Sequence, residues 1–292
     1  MNETSQAANI PKPDLAERAS VVGNLHVHEF TSSVFRNTRM LRVWLPPGYD
    51  APENSSRRYP VFYLNDGQNL FDKTTAYAGV EWGVDETADR LIREAAIPPL
   101  IVVGIDNAQS NRMKEYLPYL CLQPPILRPQ GKRYPDFLMH EVMPFAGERY
   151  RIARGPENTA LGGSSLGALI SLYTVIQRPG IFGRLLLESP SLYISQRRIL
   201  KDSRYFRHWP AKVYVAIGTH EAGRADKDWQ VVEDVRELER ILRGAGLGDD
   251  RLRVRIDEGA THNEREWARR FPEALKFLFG NENHPWRAEL EN

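Results

Sequence analysis

The stretch Leu161-Gly-Gly-Ser-Ser-Leu-Gly-Ala168 constrains this chain more than any other. It sets a G-x-S-x-G frame, Gly163 to Gly167, between an apolar run and a segment of helical period. A serine held there occupies a sharp strand-to-helix turn, and bulky neighbours would keep strand and helix apart. Gly163, Gly167 and Ala168 supply the room. The turn would lift the Ser165 hydroxyl to the rim of a sheet, with the Leu166 N–H at the helix start aimed where negative charge develops on an attacked carbonyl. The competing reading is a glycine-rich turn in which Ser164 or Ser165 merely caps the helix.

The pattern around this turn predicts a mostly parallel sheet. Leu25–Phe30 and Arg39–Leu45, the second ending at Pro46-Pro47-Gly48, read as an antiparallel opening. Continuous apolar runs then follow at Pro60–Leu64, Pro99–Ile105, Thr159–Gly163 and Arg184–Glu188, as strands buried on both faces require, and further strands are expected at Lys212–Ile217 and Arg251–Ile256. Helical period separates them. Val84, Ala88, Leu91, Ile92 and Ala95 share one face, as do Phe137, Leu138, Glu141 and Val142, and Leu169, Leu172, Tyr173 and Ile176; Asp228–Leu242 and Glu264–Phe279 read the same way. Strand and helix alternate to the end, which places helices on both faces of the sheet. The expected layout is a polar segment over 1–24, one α/β domain over 25–280 and a polar tail over 281–292. Two irregular stretches stand out: Asn107–Tyr134, and Ser189–Pro210, which could form a small cap.

A serine hydroxyl needs a base, and the base needs an acid to fix its tautomer. In a sheet of this kind the order is serine, acid, histidine. His262 falls in the loop between the last expected strand and the last helix, where a base belongs. His208, His220 and His284 have less suitable settings. The acid should follow the strand Lys212–Ile217. Glu221 stands at its exit, Asp226 and Asp228 slightly beyond, and Asp228 could instead cap the helix that begins at Trp229. A second oxyanion donor should come from Asn65-Asp-Gly-Gln-Asn69, where Gly67 would let the backbone approach the substrate and Gln68 would offer its N–H; an ordinary turn is the alternative. Trp82, Arg112, Tyr116 and Tyr193 lie in loops that could wall a substrate pocket.

Composition narrows the partners. A net charge of +1 with 26% charged residues gives no field of one sign, so neither nucleic acid nor a membrane surface is expected, and no stretch reaches the roughly 18 apolar residues that span a bilayer. Cys121 is the single cysteine, so no intrachain disulfide forms, and residues 1–20 lack the apolar core of a secretory signal. A cytosolic location is the expectation. No cofactor or metal is called for: the histidines are scattered, and His26 and His28, which share a strand face, lack a third ligand nearby.

From about Arg39 to Phe279 the chain resembles an esterase family of the α/β-hydrolases that includes enterochelin esterases, feruloyl esterases and esterase D. The resemblance rests on Tyr63-Leu-Asn-Asp-Gly-Gln-Asn-Leu-Phe-Asp72, on Val103-Gly-Ile-Asp-Asn107 with Arg112 and Glu115-Tyr116, on Gly162-Gly-Ser-Ser-Leu-Gly167, on Ser189-Pro-Ser191, and on His262-Asn-Glu264 with Trp267. It implies an α/β-hydrolase fold, hydrolysis of a small-molecule carboxylic ester, Ser165 as nucleophile, His262 as base and Gly67–Gln68 as part of the oxyanion hole. Many members carry Asp at the place of Glu221. Acyl transfer from the same site, hydrolysis of a siderophore ester of the enterochelin type and a non-catalytic binding module are the rival readings.

Overall fold

Alternating apolar side chains along the central strands split into two cores, one on each face of an eight-stranded sheet. Val61, Tyr63, Leu161, Leu185, Leu187, Val213 and Val215 point to one face. Phe62, Leu64, Ala160, Leu186, Tyr214 and Ala216 point to the other. This is the two-residue period of a pleated strand, buried on both sides. The computed structural model describes residues 20–120 and 128–280. The tail expected at 281–292, Cys121, His284 and most of the 1–24 segment lie outside them.

The strands are β1 (Asn24–Ser32), β2 (Asn37–Leu45), β3 (Val61–Asn65), β4 (Ile101–Ile105), β5 (Thr159–Ser164), β6 (Arg184–Glu188), β7 (Lys212–His220) and β8 (Leu252–Thr261). Their order is β1-β2-β4-β3-β5-β6-β7-β8. β1 pairs antiparallel with β2, and β2 with β4. Every other pair is parallel. This is the α/β-hydrolase arrangement the sequence implied, with its antiparallel edge formed by the first two strands.

The helices are α1 (Val84–Arg93), α2 (Arg112–Tyr116), α3 (Tyr134–Phe137), α4 (Met143–Arg149), α5 (Leu166–Gln177), α6 (Ile194–Tyr205), α7 (Ala225–Gly244) and α8 (Glu264–Phe279). α1 and α8 cover the face of Phe62 and Leu186. α3 to α7 supply side chains to the core on the face of Tyr63 and Leu187. A π-helical turn, Leu138–Val142, joins α3 to α4 just before Pro144, a residue with no N–H to continue the α ladder. On the predicted face of that helix, Phe137, Leu138 and Val142 are buried, whereas Glu141 accepts hydrogen bonds from Ser32 Oγ (2.6 Å) and Val34 N (2.8 Å).

Several elements depart from the sequence expectation. α6 occupies the stretch read as irregular, and its first turn is broken by left-handed backbone at Ser195, Gln196 and Arg197. β7 and β8 also run on past Ile217 and Ile256, through residues too polar to register as strand, with an irregularity in pairing between Gly218 and His220. A Cβ on Gly218 would lie 2.1 Å from the Ala260 carbonyl oxygen of β8. Gly218→Ala is therefore expected to lower stability by about 1–3 kcal/mol or more, since backbone must move to admit it. Urea denaturation would reveal this as a lower midpoint with an unchanged slope.

Candidate active site

All the parallel strands end at one edge of the sheet, and Ser165, Glu221 and His262 each follow a strand there. Ser165 follows β5 at φ 57° and ψ −121°, a strained backbone for a residue with a side chain. Its N–H donates to the Glu188 carbonyl at 2.9 Å, tying the turn to the end of β6. Ser165 stands at the N-cap position of α5, but its side chain makes no cap hydrogen bond, and its hydroxyl lies 3.3 Å from Ser191 Oγ instead. The glycines act as the motif requires. A Cβ on Gly163 would come within 3.0 Å of the Gly167 backbone, and one on Gly167 within 2.9 Å of Asp66 Oδ2. Leu166 opens α5, so its N–H is among the first-turn donors that have no partner within the helix.

His262 comes directly after β8. The next residue, Asn263, is the N-cap of α8 and accepts from Glu266 N at 3.1 Å, so strand and capped helix fix the histidine from both sides. His262 Nδ1 is hydrogen-bonded to Glu221 Oε2. A carboxylate can only accept, so Nδ1 carries a proton, and in the neutral imidazole the lone pair is then on Nε2. The Trp267 ring meets the imidazole edge-on at 5.1 Å. Glu221 Oε1 accepts from Gly218 N (2.6 Å) and Ser189 Oγ (2.8 Å). Burial pushes the Glu221 carboxyl up, but His262, Gly218 and Ser189 together outweigh it and hold the group below the usual glutamate range.

The other two acid candidates are used elsewhere. Asp226 is exposed and pairs with Arg224 at 3.0 Å. Asp228 does not cap a helix starting at Trp229, because α7 begins at Ala225. Its Oδ1 instead accepts from Ala222 N at 2.6 Å, bracing the loop that carries Glu221.

The loop after β3, where the second donor was expected, is held by contacts to neighbouring elements. Gly67–Asn69 forms a 3-10 turn entered through Asp66 in the left-handed conformation. A Cβ on Gly67 would stand 2.6 Å from the Gly104 carbonyl carbon, so this glycine is needed for close approach to β4. Gln68 uses its side chain to accept from Asn107 N (3.2 Å), while its carbonyl accepts from Thr75 Oγ1 (2.7 Å). Arg112 grips both oxygens of Asp66 at 2.7 and 2.8 Å, with Asn107 Nδ2 adding a third bond at 2.7 Å. Arg112, expected to meet substrate, thus holds the loop in place. Sequence reasoning missed Asn65, whose amide donates to Gly162 O, Gly167 O and Ser171 Oγ, clamping β3 to the serine turn. A polar amide closing a buried apolar strand was the available signal.

The substrate-wall candidates divide. Tyr193 is half exposed and lines a cleft of about 400 Å³ with Ser191, Ile217, Val231, Gln230 and His262. Tyr116 and Trp82 are corrections, because both are core residues. Tyr116 is fully buried against Tyr134, and Trp82 packs on Trp267 and Phe271. A larger cavity of about 720 Å³ between Tyr119, Tyr173 and Lys201 holds none of the reactive groups. The basic run of α6 is largely neutralised: Arg197 pairs with Asp234 and Glu237, Arg198 with Asp202, and Arg204 with Glu237. His26 and His28 both bond to Tyr150 Oη, at 3.0 and 2.6 Å. Among the described residues no group of three or more His, Cys, Asp or Glu is arranged to hold a metal, and no helix is long and apolar enough to cross a membrane.

Beneath the site lies a buried ion pair. Arg270 Nε donates to Glu188 Oε2 at 3.0 Å with both side chains fully buried. Burial pushes the Glu188 carboxyl up to about 7 even with the Arg270 guanidinium pulling it down. A folded-state value above the ordinary 4.5 means that the native state binds this proton more tightly. Its contribution to stability is therefore complete below about pH 4.5 and is lost as pH rises toward about 7. Glu188→Gln should flatten that part of the stability–pH curve, measured by thermal unfolding at stepped pH. Arg112→Met, which leaves the Asp66 carboxylate buried without its cation, should cost about 3 kcal/mol in urea unfolding and lower ester turnover as the loop loosens.

Comparison with known proteins supplies the family and the fold. Residues 32–278 match the family described as "Putative esterase". The chain is 25% identical over 248 residues to YbbA of Bacillus subtilis strain 168, spanning 83% of this chain and 93% of that one. It is 24% identical over 219 residues to the ferri-bacillibactin esterase BesA of the same organism, spanning 68% and 71%. The solved siderophore hydrolase EstB of Aspergillus nidulans shares the fold with a TM-score of 0.68 at 18% identity, covering 96% of this chain and 100% of that one. The chain belongs to this esterase family and is a carboxylic-ester hydrolase.

Proposed function

We propose that the chain hydrolyses a small or aryl carboxylic ester through an acyl-enzyme on Ser165. The observation that carries the reading is the Glu221 carboxylate on His262 Nδ1, at the same sheet edge as a serine in a strained turn. That bond leaves His262 Nε2 as the base. Ser165 Oγ attacks the ester carbonyl as its proton passes to Nε2, and the carbonyl oxygen takes up negative charge opposite the Leu166 N–H. A second donor from the Gly67–Gln68 turn completes the hole. The imidazolium, stabilised by Glu221, then returns the proton to the leaving alcohol. Water activated by the same Nε2 cleaves the acyl-enzyme and restores Ser165.

The cleft beside His262 supports a compact acyl or aryl group. Pro190, Tyr193, Ile217 and Val231 give it apolar walls, and Gln230 and Lys227 are polar members. A second reading, hydrolysis of a siderophore ester, is favoured by the relatives: one is a ferri-bacillibactin esterase and a structural neighbour is a siderophore hydrolase. A panel of acetyl, aryl and catecholate-siderophore esters separates the two by kcat/KM.

Ser165→Ala and His262→Ala should each lower kcat/KM on p-nitrophenyl acetate by at least about 10⁴-fold while leaving the fold intact. A fluorophosphonate probe should label the parent chain and not the Ser165→Ala variant. Turnover near the parent rate in either variant would refute the mechanism.

A further inference from the structure

The segment Ser189-Pro190-Ser191 leaves β6 beside the site, and its two hydroxyls meet opposite ends of the reactive set. Ser191 Oγ lies 3.3 Å from Ser165 Oγ, and Ser189 Oγ lies 2.8 Å from Glu221 Oε1. The second contact has a defined direction. Trp267 Nε1 donates to Ser189 Oγ at 3.0 Å, and Arg270 Nη2 approaches the same oxygen at 3.4 Å. Indole and guanidinium nitrogens only donate, so they occupy the hydroxyl's acceptor positions and leave its proton for the carboxylate, which only accepts. Ser189 is buried, and its N–H is pinned to the Ala216 carbonyl of β7 at 2.7 Å. Its backbone adopts φ 41°, a left-handed conformation that a residue with a side chain adopts only under strain. A glycine would fit that backbone more easily, so the hydroxyl is the feature that sets this position apart.

We propose that Ser189 is a positioning residue for the reaction. Its hydroxyl and the Gly218 N–H hold Glu221 Oε1 at two points, so that Oε2 is the oxygen presented to His262 Nδ1. A glutamate has one more rotatable bond than an aspartate, and a carboxylate on that longer arm needs a second anchor to keep the imidazole in the tautomer that serves Ser165. Trp267 joins the two halves of this arrangement: it donates to Ser189 Oγ and meets the His262 ring edge-on. The inference rests on the roles proposed above for Ser165, His262 and Glu221.

The test is a double-mutant cycle on p-nitrophenyl acetate hydrolysis with Ser189→Ala, Ser189→Gly, Glu221→Ala, the pair Ser189→Ala/Glu221→Ala, and Ser165→Ala, each checked by thermal unfolding. Ser189→Ala and Ser189→Gly should lower kcat by roughly 10- to 100-fold, as loss of one hydrogen bond to a charged group predicts, with KM changed by less than about twofold. In the Glu221→Ala background the added loss from Ser189→Ala should shrink to less than about twofold, because the residue acts through that carboxylate. A purely structural role would give the same loss in both backgrounds. Should Ser189→Ala fail to fold, Ser189→Gly, which relieves the positive φ, carries the same comparison. Parent-level kcat in Ser189→Gly, or an undiminished loss in the Glu221→Ala background, overturns the role of Ser189. Activity surviving in Ser165→Ala instead removes the catalytic reading itself, so the two failures are distinguishable.

Discussion

The parallel register from β3 to β8 is the constraint on which the rest depends. Because these strands run the same way, the loops after β3, β5, β6, β7 and β8 all open at one edge of the sheet. Residues as distant as Asn65, Ser165, Ser189, Glu221 and His262 thereby become neighbours without any long-range loop having to fold back. Burial on both faces fixes that register, since a slip of one residue would turn apolar side chains from one core to the other.

Around this edge the polar groups form two braced units. One holds the turn after β3: Asp66 is gripped by Arg112 and Asn107, and Asn65 ties the end of β3 to the serine turn and α5. The other holds the proposed acid and base: Ser189 and Gly218 bond to Glu221, and Trp267 contacts Ser189 and His262. Buried charges in both units are paired and hydrogen-bonded, as low-dielectric surroundings demand. Rigid placement of this kind lets electrostatic groups act on developing charge without reorganising.

Backbone strain is also present at this edge. Asp66, Ser165 and Ser189 all have positive φ although none is glycine. Each lies one residue after a parallel strand, where the chain must turn sharply while its side chain or amide is aimed into the site. The two-sided core supplies the stability that such turns consume.

Much of this was legible in the residues. Continuous apolar runs gave the central strands, helical period gave α1, α5, α7 and α8, and the Gly163–Gly167 frame located the serine turn because only small residues fit where strand and helix meet. The order of serine, acid and histidine along the chain pointed to Ser165, to His262 and to an acid among Glu221, Asp226 and Asp228, and the fold carries Ser165, Glu221 and His262 to one edge. Hydropathy was silent where polar residues extend β7 and β8, and where α6 follows β6. Loop aromatics looked alike in sequence, yet tertiary packing put Trp82 and Tyr116 in the core and left Tyr193 on the cleft. Periodicity reports which face a side chain takes within its own element. The partner of Arg112, the reason for Gly67 and the pairing of His262 with Glu221, not with Asp226 or Asp228, depend on distances between separate elements, which only the folded chain decides.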